Sequence, residues 1–189
     1  MDDLVYQAMR KWPNVPDCYG WLGLDARGEY WMRDMQVQQA GSFKAGCQSP
    51  LSGGKGSRVD HVALKGFMGR NYQPDERGCW YFQNGPQKVF VELELAPLSC
   101  RLSLSDTTEV LLHTGAIDRL NRIWVDETGV VYAEASKGLA VVHSWDVAIV
   151  ANWLEAGFWS ENACNQADLP NQFGYVLSPM GVEKQKSPV

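Results

Sequence analysis

Two of the three histidines in this chain stand near an acid. His61 follows Asp60, and His143 comes shortly before Asp146. A carboxylate beside an imidazole can orient the ring as a general base. His61 and His143 are therefore the candidate catalytic groups, with a surface or hydrogen-bonded structural role as the competing reading. No histidine pair shows HxxxH metal-ligand spacing.

Other chemistry-bearing patterns are weaker. Lys55 in "SGGKGS" invites a phosphate-loop reading, but Gly56 stands where that loop needs Ser or Thr, and no strand leads into it. No serine sits in a GxSxG elbow. Glu92 and Glu94 alternate on a strand and so share a face, which reads first as a solvated face. Asp25 and Asp126 look like catalytic acids at hairpin tips, yet each opens a turn, where Asp has a structural reason to be. The cysteines Cys18, Cys47, Cys79, Cys100 and Cys164 are odd in number and form no CxxC pair. They read as reduced thiols rather than as a disulfide framework or a metal site. No cofactor or metal motif is present in the sequence.

The segment "GCWYFQNGPQKVFVELELAP" raises a different possibility. A turn at Asn84–Gln87 sets Tyr81 opposite Phe90 and Phe82 opposite Val89. Alternation then puts Trp80, Phe82, Val89, Val91 and Leu93 on a core face. Tyr81 and Phe90 lie on the other face with Gln83, Lys88, Glu92 and Glu94. That pair is either covered by another element or exposed as a contact patch. With Arg70, Asn71 and Tyr72 at its rim, it is the candidate ligand-binding surface.

The elements that must position these residues follow from periodicity. Leu4, Val5, Ala8, Met9 and Trp12 predict an amphipathic N-terminal helix stopped by Pro13. Hairpins are predicted around Asp25–Gly28 and Asp126–Gly129, and strands in "SCRLSLS" and "TEVLLHT". The Gly/Ser-rich stretch at about 38–58 reads as an insertion in loop form. Helices are predicted in "DHVALKGFMGRNY" and "SWDVAIVANWLEAG", the second capped by Ser144. "NQFGYVLSPM" reads as a closing strand before a polar tail.

The Asp-x-x-Gly turns repeat at an offset of 101, and the two helices at an offset of 86. The difference is about the size of the insertion. This points to two related hairpin–helix–strand halves, 1–97 and 98–182, with a tail at 183–189, packed as one compact unit. A groove between halves would be the default site.

The charge balance narrows partners. Residues 1–95 carry 11 basic and 11 acidic side chains, whereas residues 96–189 carry 6 and 11, which accounts for the net charge of −5. That balance disfavours nucleic acid. No apolar run is long enough to span a bilayer, and Asp2 and Asp3 stand where a signal peptide would be basic. A cytoplasmic location without a membrane partner is expected.

"WPNVPDCYGWLGLDARGEYWMRD", "RNYQPDERGCWYFQNGPQKVFVELE" and "LHTG" resemble a family of uncharacterised bacterial proteins of similar length, a domain of unknown function. The resemblance covers most of the chain and implies no assigned activity or catalytic residues. The hairpin–helix–strand duplication is similar to another uncharacterised bacterial family of two α+β halves, one with a pleckstrin-homology-like look. For that family a ligand-binding or signalling role has been supposed.

The sequence therefore predicts an α+β protein of mostly antiparallel sheet with a short N-terminal helix. Its expected role is a binding or regulatory module for a peptide, protein or small ligand. The alternatives are an enzyme using a His/carboxylate pair and a homo-oligomeric assembly subunit.

Overall fold

The computed structural model describes residues 1–49 and 54–186. The fold is α+β, and the chain divides into two compact units. The first comprises Met1–Asp25, Glu29–Glu94 and Tyr175–Val189; the second comprises Ala26–Gly28 and Leu95–Gly174. The C-terminal segment thus belongs with the N-terminal half of the chain.

The first unit is built on one sheet. Its strands are β1 (Cys18–Leu24), β2 (Tyr30–Met32), β3 (Ser57–Arg58), β4 (Tyr72–Pro74), β5 (Trp80–Asn84) and β6 (Gln87–Leu93), ordered β3-β2-β1-β6-β5-β4. The pairing of β1 with β6 is parallel, and the other pairings are antiparallel. The helices are α1 (Asp3–Lys11), α2 (Met35–Ala40), α3 (Phe43–Gln48) and α4 (Val62–Arg70), with α7 (Pro179–Lys186) returning from the far end of the chain. The expected β5–β6 register is present, Tyr81 opposite Phe90 and Phe82 opposite Val89. Asn84 and Gln87 also pair, so Gly85 and Pro86 alone form the loop.

The second unit carries β7 (Leu98–Leu102), β8 (Glu109–Leu112), β9 (Ile117–Asp126), β10 (Val131–Ala135), β11 (Gly138–Val142) and β12 (Glu161–Cys164). A 3-10 turn (Ser144–Asp146), α5 (Val147–Glu155) and α6 (Leu169–Phe173) complete it. Strands β7 to β11 pair in sequence, and the parallel β11–β7 pairing closes them into a ring. Closure satisfies both edges of these strands and removes a template for unwanted pairing. Tyr132, Ala133, Leu139, Ala140, Leu120 and Ile123 of these strands are buried.

Asp-x-x-Gly turns recur three times, at Asp25–Gly28, Asp75–Gly78 and Asp126–Gly129. In each, Asp Oδ1 accepts the backbone N–H that re-enters the sheet, from Glu29 (3.0 Å), Cys79 (2.9 Å) and Val130 (2.9 Å). Each glycine has φ between 79° and 84°, a left-handed conformation that glycine adopts without steric cost. The Asp75 turn escaped the sequence reading, yet it aligns more closely with the Asp126 turn. The following loops, flanked by Asn84/Gln87 and Ala135/Gly138, keep the same spacing.

Several expectations are corrected. The stretch at 38–58 is not simply a loop: Asp34 caps α2 through the Val37 N–H (2.9 Å), and Ser42 caps α3 through the Ala45 N–H (3.2 Å). These side chains satisfy orphan donors where composition signalled only mobility. Residues 50–53 of that stretch, including part of "SGGKGS", lie outside the described residues. "NQFGYVLSPM" is not a strand: α6 ends at Gly174 in a left-handed cap and α7 begins at Pro179. The expected tail at 183–189 is helical to Lys186, and 187–189 lie outside the described residues. In α1 only Val5 is buried, while Leu4 is 77% exposed.

Candidate functional site

The sequence-predicted binding pair is interior. Tyr81 and Phe90 pack at 5.4 Å, Tyr19 stacks on Phe90 at 4.5 Å, and Cys79 and Val176 complete the cluster. Phe90 is 0% exposed, which corrects the contact-patch reading of this pair: it is covered from β1 and from the C-terminal segment. The opposite face of β5 is covered as well, with Phe67 of α4 edge-on to Phe82 at 5.9 Å.

The rim residues hold the N-terminus. Arg70 forms a forked contact with Asp2 at 3.1–3.2 Å, and Asn71 Oδ1 accepts the Asp2 N–H at 2.8 Å. Asn71 is buried and also donates to the Phe67 carbonyl. Tyr72 packs on Trp80 at 4.9 Å, and burial pushes its hydroxyl well up. These residues anchor α1 and the β4 edge.

Each candidate catalytic histidine uses Nδ1 to cap the start of a helix or turn. His61 caps α4, Nδ1 accepting the Leu64 N–H at 3.2 Å, while Asp60 goes to Arg58 at 2.6 Å. His143, not Ser144, caps the 3-10 turn, Nδ1 accepting the Trp145 N–H at 3.2 Å. Its neighbour Asp146 is clamped by Arg101 at 2.7 and 2.9 Å and by the Leu102 N–H at 2.9 Å. Burial pushes the Asp146 carboxyl up, but the Arg101 and Leu102 bonds outweigh it and hold the group below the usual range. His113 Nδ1 accepts the Ser99 N–H at 3.2 Å.

The thiols are similarly quiet. Burial pushes Cys100 up to about 12 and raises Cys18, Cys47 and Cys164, and protonated thiols are poor nucleophiles. Among the described residues no group of three or more His, Cys, Asp or Glu side chains is placed to hold a metal ion. Among them, too, no helix is long and apolar enough to cross a membrane.

What the sequence reading missed is a row of buried charge in the first unit. Trp31, Gly23 and Glu92 are consecutive partners across β2, β1 and β6. Alternation places Arg33 and Glu94 on that same face. Phe43 of α3 lies over Gly23, where a Cβ would overlap its ring. Beneath this roof Arg33, Glu92 and Asp25 are buried, which corrects the reading of Glu92 as part of a solvated face. Lys55 Nζ reaches Asp25 at 3.0 Å and stands 5.0 Å over the Trp31 ring, and Trp31 Nε1–H donates to the same Asp25 oxygen at 2.9 Å. The available signal was "EYWMRD", in which an arginine continues an alternating strand.

The second unit contains a cavity of about 260 Å³. Leu95, Val130, Val131, Val141, Val142 and Val147 supply its apolar wall. Arg27 is its one charged lining residue, and Ser144 contributes a hydroxyl.

Two solved structures resemble the chain. A DUF1285 family protein from Silicibacter pomeroyi DSS-3 matches with a TM-score of 0.46 and 13% identity, over 80% of this chain and 84% of its own. A DUF1285 family protein from Shewanella baltica OS155 matches with a TM-score of 0.46 and 11% identity, over 70% and 91%. No curated protein matches significantly. A family match spans residues 1–180, nearly the whole chain, so the chain belongs to the family DUF2944, described as "Protein of unknown function (DUF2946)".

Proposed function

We propose that this protein is a cytoplasmic small-molecule-binding module whose site is the cavity of the second unit. The observation that carries the reading is the cavity itself, about 260 Å³ with apolar walls and one cationic residue. At roughly 30 Å³ per water, that is room for about nine waters. Small-ligand sites combine apolar walls with a few polar groups that fix orientation. A short branched apolar molecule with a polar end toward Arg27 and Ser144 fits that description.

Binding is favoured over the enzyme alternative because His61, His113 and His143 each spend Nδ1 on a backbone N–H. A homo-oligomer built on the Tyr81/Phe90 face would need that face exposed, and both residues are buried.

The test is a ligand-observed NMR screen of small apolar acids, alcohols and amides against the full chain. Saturable binding lost in Val142→Phe, which fills the cavity, supports the reading. Retention of binding in a folded Val142→Phe protein sinks it. Should that variant fail to fold, Ser144→Ala serves instead, because Ser144 is exposed and lines the cavity without belonging to its apolar wall.

A further inference from the structure

Arg33 is 1% exposed, and among the described residues its Nε and Nη1 have no hydrogen-bond partner. Nη2 donates to the carbonyls of Gly41 at 2.6 Å and Val37 at 3.3 Å. Both acceptors are neutral. Glu92 acts on Arg33 through space, and its Oε1 is occupied by the Met180 N–H at 2.9 Å. Buried arginines are ordinarily paired, and an unsatisfied buried donor costs free energy comparable to a lost hydrogen bond.

We propose that the first unit binds a small oxyanion at Arg33, held by Nε and Nη1. A water would satisfy the two nitrogens but bring no charge. The two nitrogens meet no acceptor, and desolvation weighs against the Arg33 charge more than nearby Glu92 supports it. A carboxylate or phosphate oxygen supplies both charge and acceptors, the chemistry for which an arginine fork is suited.

Access runs through a light roof. Helix α2 buries no residue, and α3 buries only Phe43, whose ring lies 5.7 Å from the Arg33 guanidinium carbon. Segments with few buried apolar contacts open at low free-energy cost. Because Arg33 also holds the Val37 and Gly41 carbonyls, occupancy of the site couples to the order of α2.

The experiment follows the Arg33 Nε–H resonance and the melting temperature of the full chain during titration. The titrants are sodium phosphate and sodium acetate, each against sodium chloride at matched ionic strength. Saturable movement of the Nε–H signal with a rise in melting temperature supports the proposal, and the more effective salt distinguishes a phosphate from a carboxylate ligand. Arg33→Lys keeps the charge but loses the fork and should weaken binding at least tenfold. Glu92→Gln removes the nearby negative charge and should tighten it severalfold. An Nε–H signal unmoved by either oxyanion, or moved equally by chloride, overturns the proposal. So does weaker oxyanion binding in Glu92→Gln. The wild-type titration decides the matter even where a variant does not fold.

Discussion

Asp126 Oδ2 accepts the Tyr132 hydroxyl at 2.9 Å, while its Oδ1 accepts the N–H groups of Thr128 and Val130, each at 2.9 Å. One carboxylate therefore shapes a turn and ties it to a buried ring on the strand that follows. The Thr128 hydroxyl donates to Oδ1 at 2.8 Å, and Gln166 Nε2–H adds a fifth donor at 3.1 Å. Hydrogen bonds to a charged group contribute more than neutral ones, so Asp126→Ala should destabilise the protein by about 3 kcal/mol. Urea denaturation measures this. A loss below about 0.5 kcal/mol, the range of a neutral surface change, would show that the carboxylate is dispensable.

The same carboxylates set the acid limit. At Asp126, burial pushes the pKa up, but the bonds from Thr128, Val130 and Gln166 outweigh it; at Asp146 the Arg101 clamp does the same. Both folded-state values thus lie below the unfolded one. Their stabilisation is complete above the unfolded carboxylate value, about pH 4, and is lost as pH falls through the folded values. Unfolding free energy should decline below about pH 4, and Asp146→Asn should flatten that slope. An unchanged slope in the variant would assign the acid transition to other groups.

Two turn glycines should respond unequally to alanine. Gly28 (φ 79°) and Gly129 (φ 84°) share the left-handed strain. A Cβ at Gly28 would stand 2.7 Å from His113 Cβ, whereas nothing lies within 4 Å of one at Gly129. Gly129→Ala should cost about 1–2 kcal/mol from strain alone, and Gly28→Ala clearly more. Equal melting temperatures for the two variants would contradict the packing argument.

Phe90 serves as a core residue rather than a contact residue. Phe90→Ala should cost about 3–5 kcal/mol through lost burial and the cavity left among Tyr19, Tyr81 and Cys79. Calorimetry reads the loss directly. A near-wild-type melting temperature would return the pair to the surface.

Local chemistry made some of this legible in advance. The Tyr81/Phe90 register followed from turn residues and strand alternation, both governed by near neighbours. The Asp126 turn followed from the φ that Gly129 supplies and the short reach of an Asp side chain. His61 was placed at a helix start, although its role there is capping.

What covers each face was not legible. Glu92 and Glu94 alternate as a solvated pair would, yet α3, seated by Phe43 over Gly23, helps bury Glu92. Arg33 looks like any strand-end arginine until Val37 and Gly41 turn their carbonyls onto it. Val131 of β10 and Val141 and Val142 of β11 line a cavity together with Arg27 and Leu95, which lie far from them in the chain. The sequence by itself determined the N-terminal helix, the Asp25 and Asp126 turns and the β5–β6 register, because dihedral preference and side-chain period act over a few residues. Tertiary structure alone decided burial, and with it which charges are stranded and where space remains. Those properties depend on partners far apart in the chain.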